Sequence, residues 1–428
     1  MSELKTGAVV HLTNGATAKV KKLLGEGGQG YVYLASVNGK DMALKWYKGE
    51  PSSEPDKFYK NLRNNVESGA PSPIFIWPEY VTQHEQGSFG YLMKLRPEGY
   101  YEFGKFLNAK KKFSNFLAIF TAAMEICEAF KALHARGLSY QDLNDGNFFI
   151  NPDTGHVQIC DNDNAFPNGE KSGILGKARY MAPEVVVGKR LPDAYTDKFS
   201  LALILFEIIY MNHPFEGLKV VGCPCMTETI EKKCYGSEIL FIIDPKDSSN
   251  APVRGLHDNV IHRWPAFPKQ LRDTFIHEFS AEILQNPTKR MTEQQWLDTL
   301  TIVRDQFIIC PHCGQETIVN TFEASCQCLE CKKTIAINHT LVVDKRQIAL
   351  TDGNMIYLNR DNIPDLKVVH STKDASALFV QNLMKESIEV QTPSGKINIV
   401  ASGDFFPVKS GLSLKLKVLG NQYKAIIK

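Results

Sequence analysis

The segment Ser139–Asp163, SYQDLNDGNFFINPDTGHVQICDND, decides how the rest of the chain is read. Asp142 and Asn147 stand five apart in a short polar loop, and Asp161 ends an apolar run, 157–160, that follows a hairpin signal. Moving a phosphoryl group requires one carboxylate to orient and deprotonate a hydroxyl. It also requires an amide and a second carboxylate to hold a divalent cation against the phosphates. Asp142, Asn147 and Asp161 supply those groups in that order.

Working outward, residues 115–136 carry Phe116, Ile119, Phe120, Ala123, Met124, Cys127, Phe130 and Leu133 at spacings of three and four, and Gly137 follows. This is the pattern of an amphipathic helix delivering the chain into the polar loop. Nearer the N-terminus, residues 12–47 alternate apolar and polar and contain two Asn-Gly turns, Asn14-Gly15 and Asn38-Gly39, which predict hairpins. Between two of these strands lies Gly25-Glu26-Gly27-Gly28-Gln29-Gly30-Tyr31-Val32. Taken alone, the glycine pattern is as well explained by an ordinary turn. Its place between two strands, rather than between strand and helix, argues against a dinucleotide fold and for a loop covering phosphates. Fifteen residues beyond Gly30, Met42-Ala43-Leu44-Lys45 ends an apolar strand in a lysine.

At these positions the chain resembles the eukaryotic-type protein kinase family. Tyr140, Gln141, Asp142 and Asn147 match its catalytic-loop pattern H-R-D-x-x-x-x-N, Asp161-Asn162-Asp163 its D-F-G, and Met42 to Lys45 its V-A-I-K. Ala182-Pro183-Glu184 matches its A-P-E, Asp197 the acid that ties down the catalytic loop, and Arg290 the arginine that pairs with Glu184. The resemblance implies a multidomain α+β protein. A bilobal protein-kinase fold, with an N-lobe at 1–97 and a C-lobe at 98–307, would precede the C-terminal modules. ATP would sit on Gly25, Gly27, Gly28, Gly30, Val32, Ala43, Lys45, Met93, Lys94 and Leu95. Asn147 and Asp161 would hold Mg²⁺ or Mn²⁺, and Asp142 would be the base. The A-P-E segment and the late arginine favour a protein substrate over a small molecule, and no tyrosine-kinase-type arginine follows Asp142, so Ser/Thr specificity is expected.

The departures are chemical. Asn144 stands where the family's Ser/Thr kinases carry a lysine beside the moving phosphoryl group, and Lys177 stands where they carry a threonine. Charge on the phosphoryl oxygens must be met by a cation, so Lys177 is expected to replace the lost one. Gln141 replaces the arginine that pairs with a phosphorylated activation loop, and Ser172 is the only Ser or Thr between Asp163 and Tyr180. Activity independent of loop phosphorylation is therefore expected. Asn162 in place of the D-F-G phenylalanine predicts that the switch made by that aromatic is absent. The family's helix glutamate, partner of the lysine, has no clear match: Asn64 and Asn65 occupy its distance, with Glu54 and Glu67 displaced. The runs 74–77 and 90–95 read as the next two strands. These departures also admit a second class of function, an ATP-binding pseudokinase scaffold.

Toward the C-terminus, Cys310-x-x-Cys313, fourteen residues, then Cys328-x-x-Cys331 is the spacing of a structural tetrahedral Zn²⁺ site, a zinc ribbon over 308–336. Cys326 is an alternative ligand, although Cys328 gives the matched knuckle; His312 is expected to face solvent, and Cys223 and Cys225 to be without metal. Residues 337–428 alternate with turn signals and predict a small all-β sandwich. Its strand rhythm resembles a forkhead-associated domain, implying a phosphopeptide ligand. The architecture, with Phe75-Ile76-Trp77-Pro78 and Tyr91-Leu92-Met93, also resembles the kinases of bacterial phosphorylation triads linked to tellurite resistance, which act beside a phosphatase and a von Willebrand-type partner.

Composition narrows the rest. With 49 basic and 47 acidic residues and a net charge of +2, no global field favours nucleic acid or an anionic membrane. The ribbon has Lys332 and Lys333 but no basic stripe. The apolar run 201–211 contains Glu207 and is too short to cross a bilayer, and the N-terminal residues lack an uninterrupted apolar region. Ten cysteines, five of them between Cys310 and Cys331, suit metal ligation in a reducing cytoplasm.

Overall fold

The computed structural model of the chain describes residues 3–85, 87–170, 173, 176–320, 323–360, 363–371, 373–374, 377–418 and 420–428. Two compact units are present: one of 1–112, 125–258 and 276–294, the other of 113–124, 259–275 and 295–428.

The first unit opens with six antiparallel strands: β1 (Val9–His11), β2 (Thr17–Glu26), β3 (Gly30–Val37), β4 (Lys40–Tyr47), β5 (Pro78–Val81) and β6 (Gly90–Met93), in the spatial order β1-β2-β3-β4-β6-β5. Asn38 and Gly39 both adopt positive φ, 50° and 82°, and join Val37 to Lys40 in a two-residue hairpin. That is the turn which an Asn-Gly pair encodes. Alternation along the strands sends Val20, Ala35, Met42, Leu44 and Leu92 to one buried face, and Ala43, Tyr91 and Met93 to the other, where helix α1 (Pro55–Ser68) packs Phe58 and Leu62. Helix α1 ends at Gly69, whose φ of 68° lies in the left-handed region.

One strand differs from the expectation. Residues 74–77 form no strand; β5 starts at Pro78. Phe75, Ile76 and Trp77 are buried as a linking segment, with Ile76 N donating to Ile159 O at 2.8 Å and Ile159 N to Ile74 O at 2.9 Å. A run buried on all sides lacks the alternation that marks a strand, and periodicity alone cannot resolve it.

The remainder of this unit is mainly helical. Helix Phe116–Ala135, whose residues 116–124 are counted in the second unit, begins where Asn115 Oδ1 accepts from Ala118 N at 2.7 Å and stops at Gly137, with a φ of 72°. Helix Ala194–Tyr210 is buried along almost its whole length, Glu207 included, as its apolar run predicts. Among the described residues, no helix is long and apolar enough to cross a membrane.

In the second unit, hairpins Phe307–Ile309/Glu316–Ile318 and Ser325–Gln327/Thr334–Ala336 carry the clustered cysteines. Beyond them, two antiparallel sheets of six and four strands enclose a core that includes Leu341, Ile348, Leu366, Val380, Val390 and Leu414. Asp305, just past helix Glu293–Arg304, grips Arg346 through two hydrogen bonds of 2.6 and 2.8 Å, and Arg346 Nη1 also donates to Leu358 O at 2.9 Å.

Candidate active site

The polar loop is held from below. Asp197, 2% exposed, accepts from Tyr140 N at 2.6 Å and Gln141 N at 3.1 Å. His134 bridges Asp197 at 3.1 Å and Glu293 at 2.7 Å. Burial alone would push the imidazole down, but hydrogen bonds to both carboxylates and their charges raise it to about 9. The Tyr140 hydroxyl donates to Cys160 O, tying the loop to the strand that precedes Asp161. Further along the chain, Arg290 meets Glu184 through two hydrogen bonds of 2.8 Å, the expected pair.

Within the loop, Asn147 Oδ1 accepts from Asn144 N at 2.8 Å, and Asn147 O accepts from Cys160 N at 2.9 Å. Asn147 and Asp161 are thereby carried on neighbouring backbone. Asp161 is left-handed, φ 55° and ψ 41°, and its side chain is 43% exposed. Asp142 keeps few partners: Asn144 Nδ2 lies 3.2 Å from its Oδ1, and Asn164 Nδ2 3.5 Å from its Oδ2. Burial lifts its carboxyl, the Asp161 charge adds to this, and the Asn144 hydrogen bond and Lys177 charge oppose it, leaving the group at about 6. Lys177 Nζ reaches Asn144 Oδ1 at 2.9 Å and Asp145 Oδ1 at 3.5 Å, so a cation stands beside Asn144. Gln141, at a φ of 68°, donates to Ser139 Oγ at 3.1 Å and Glu170 O at 2.6 Å. Ser172 lies outside the described residues.

The opposite wall is the sheet. A Cβ at Gly30 would lie 2.4 Å from Trp46 O, so packing against β4 demands glycine there. At Gly25 and Gly28 a Cβ would meet nothing within 4 Å, and at Gly27 only Gly30 O at 3.9 Å. Packing does not explain those three glycines, whose backbone is left open to close approach. Val32 and Leu95 are half-buried against the cluster that holds Ala43 and Met93, and Lys94 is exposed just past β6. The apolar residues expected around a base therefore come together.

Lys45, 6% exposed, donates to Asp163 Oδ2 at 2.9 Å, Asp161 Oδ1 at 3.2 Å and Gln29 Oε1 at 3.2 Å. Burial pushes the amine down, but the two aspartates outweigh it and hold it above its ordinary value. None of the residues considered for its partner is one. Asn64, Glu54 and Glu67 are exposed, and buried Asn65 donates to Ala165 O at 3.0 Å. Sequence reasoning missed Gln29, Asp163, Asn164, Tyr47 and Tyr91. The one available signal was the acid standing where the D-F-G pattern has glycine. Asn162 is fully buried, its amide donating to Ile76 O at 2.8 Å and Ile159 O at 2.9 Å.

The sulfur atoms of Cys310, Cys313, Cys328 and Cys331 all lie within 4.8 Å of one another, with pairs at 3.9 Å (Cys310–Cys331) and 3.7 Å (Cys313–Cys328). Four sulfurs about 2.3 Å from a tetrahedral Zn²⁺ stand about 3.8 Å apart, so the donor set fits that ion. His312 N and Glu330 N each point at the first sulfur of their own knuckle, at 3.4 Å. Cys326 lies outside the cluster, on a strand opposite Ile335, and His312 is exposed, its ring bonded to Thr334 O.

A glycine loop over a buried lysine thus faces a loop carrying Asp142, Asn147 and Asp161. The chain belongs to the protein kinase domain family, whose model matches residues 18–299. It is 28% identical over 226 residues to serine/threonine-protein kinase PknA of Mycobacterium tuberculosis, covering 49% of this chain and 50% of that protein. It is 29% identical over 204 residues to mouse protein kinase C delta type, covering 46% and 30%, respectively. To a probable serine/threonine-protein kinase PknB of Corynebacterium glutamicum it is 24% identical over 213 residues, covering 46% and 31%. The chain thus spans half or less of the length of these relatives.

Proposed function

We propose that the protein is a protein kinase that transfers the γ-phosphate of ATP to Ser or Thr hydroxyls of a protein substrate. The observation that carries this reading is the cation beside Asn144. Lys177 Nζ, 2.9 Å from Asn144 Oδ1, restores charge where the catalytic loop lost it, and a decaying site has no reason to keep such a replacement. In this reading Asp142 orients the hydroxyl and takes its proton, Lys45 holds the α and β phosphates, and Gly25, Gly27 and Gly28 bring backbone N–H groups over them. Asn147 and Asp161 would hold Mg²⁺ or Mn²⁺, which supplies charge neutralisation for the phosphates. Gln141 offers no charge to a phosphorylated loop, which supports activity without loop phosphorylation. The four cysteines are assigned to a structural Zn²⁺. Partners in a triad, a phosphatase and a von Willebrand-type protein, are inferred from the domain order and the short motifs at 75–78 and 91–93.

The test is transfer of labelled γ-phosphate from ATP·Mg²⁺ to the protein itself and to a generic basic substrate, in wild type, Asp142→Asn, Asp161→Ala and Lys177→Ala. Loss of the base should lower the rate about 10²- to 10⁴-fold, and loss of Lys177 about 10²- to 10³-fold. A wild type that binds ATP yet transfers nothing with Mg²⁺ or Mn²⁺ would make the protein a scaffold. A fully active Lys177→Ala would remove that residue from the mechanism.

A further inference from the structure

A buried ammonium needs a counter-charge within hydrogen-bond reach. On α1, the element where the family resemblance places that charge, nothing provides it. Glu54 is exposed, 3.9 Å from Lys57, and Glu67 is exposed too. The buried polar groups on the inner face of α1 are Asn61 and Asn65, and both donate to the same acceptor, Ala165 O, at 2.8 and 3.0 Å.

The counter-charge comes instead from the segment around Asp161. Of the two carboxylates on Lys45, the Asp161 side chain is 43% exposed, whereas that of Asp163 is 0% exposed. Asp163 Oδ2 also accepts from the Tyr47 hydroxyl at 2.5 Å, and its Oδ1 from the Tyr91 hydroxyl at 3.2 Å. Tyr47 ends β4, and Tyr91 lies in β6, opposite Lys45 itself. Three donors thus fix an enclosed carboxylate that has no route to a ligand, while Asp161 remains open to one.

We propose that Asp163 is the positioning residue for Lys45, in place of an acid on helix α1, so that Asp161 is released for a divalent cation. This inference rests on the phosphotransferase reading of the site. It makes the lysine and the metal acid parts of one short segment, two residues apart, so they are set together. Helix α1 then contributes through the amides of Asn61 and Asn65 rather than through charge. An activator acting on that helix would have to make or break two hydrogen bonds to Ala165 O, not an ion pair.

Full-length Asp163→Asn, Asp163→Glu, Glu54→Gln, Glu67→Gln and Lys45→Ala are compared by ATP·Mg²⁺ affinity, by labelling of Lys45 with an acyl-phosphate analogue of ATP, and by the kcat and KM of phosphotransfer. Asp163→Asn should weaken ATP binding about tenfold or more and depress kcat further still, approaching Lys45→Ala, because removing one partner of a buried pair strands the other. Asp163→Glu should recover much of both, which a purely packing role would not predict. Glu54→Gln and Glu67→Gln should stay within about twofold of wild type, as surface changes do. Wild-type binding and kcat in a folded Asp163→Asn would overturn the proposal, as would a Lys45→Ala-like loss in either helix variant. Should Asp163→Asn not fold, Tyr91→Phe takes its place: a weaker ATP affinity supports the proposal and an unchanged one counts against it. If wild type binds ATP but transfers no phosphate, the kinase reading fails, and the binding and labelling arms still decide the role of Asp163.

Discussion

The lysine pocket and the cysteine knuckles are both clusters of ionisable groups, built in opposite ways. Around Lys45 the ligands come from Gln29, Asp161 and Asp163, as far as 118 positions away, and the cation is part of the protein. Around the cysteines two copies of one short turn each supply two sulfurs, held 3.7 to 3.9 Å apart across the turns, and a cation would have to come from outside. In the first cluster the lysine has its counter-charges as soon as the chain folds; the second brings together four thiols that would give up their protons on binding a metal.

Stripping metal gives the largest expected effect. A structural Zn²⁺ contributes on the order of 10 kcal/mol to a domain this small, so a chelator, or Cys313→Ser, should unfold the two hairpins. One zinc per chain should be released, and hydrogen exchange across 307–336 should lose its protection. Retained protection without metal would place the hairpins' stability in their apolar contacts and erase the contrast. An intermediate effect comes from His134, an internal cation that can still lose its proton. Its folded value, about 9, lies above the ordinary 6.5. The stability it provides is therefore complete below pH 6.5 and disappears as pH rises through 9, a fall of about 3 kcal/mol at most. Denaturant unfolding at pH 6.5 and 9 should show that fall in wild type and a flatter dependence in His134→Gln; equal slopes would sever the link to Asp197 and Glu293. The smallest effect separates the glycines. Gly30→Ala should cost about 1–3 kcal/mol through its clash with Trp46 O, whereas Gly28→Ala should shift stability by no more than about 0.5 kcal/mol while weakening ATP binding. Equal thermal midpoints for the two variants would contradict this.

The same contrast explains what could be read in advance. The knuckles, the Asn-Gly hairpin, the helix into the catalytic loop and the Asp142/Asn147/Asp161 order are local patterns, and local spacing fixes their geometry. Glu184 with Arg290 and Asp197 with the loop were found despite their separation, because a recurrent motif marks each position. Asp163 had no such guide: nothing near it in sequence announces that Tyr47, Tyr91 and Lys45 will converge on it. The family resemblance points to helix α1 for the lysine's partner, but the buried asparagines there serve a carbonyl instead. Residues 74–77 read as a strand in sequence and form none, because burial of Phe75, Ile76 and Trp77 together removes the alternation by which strands are recognised.

The Asp305–Arg346 clasp has a consequence for how such a chain can change. Its two residues are 41 positions apart, and both zinc-type hairpins lie between them. A segment whose ends are pinned together by its flanks behaves as a cassette. Strand Thr340–Val343 also lies inside it and pairs with Arg346–Ala349 and with residues 425–427, so it is the hairpin part, 307–336, that recombination or protein engineering should be able to exchange without shifting the register of the sheet.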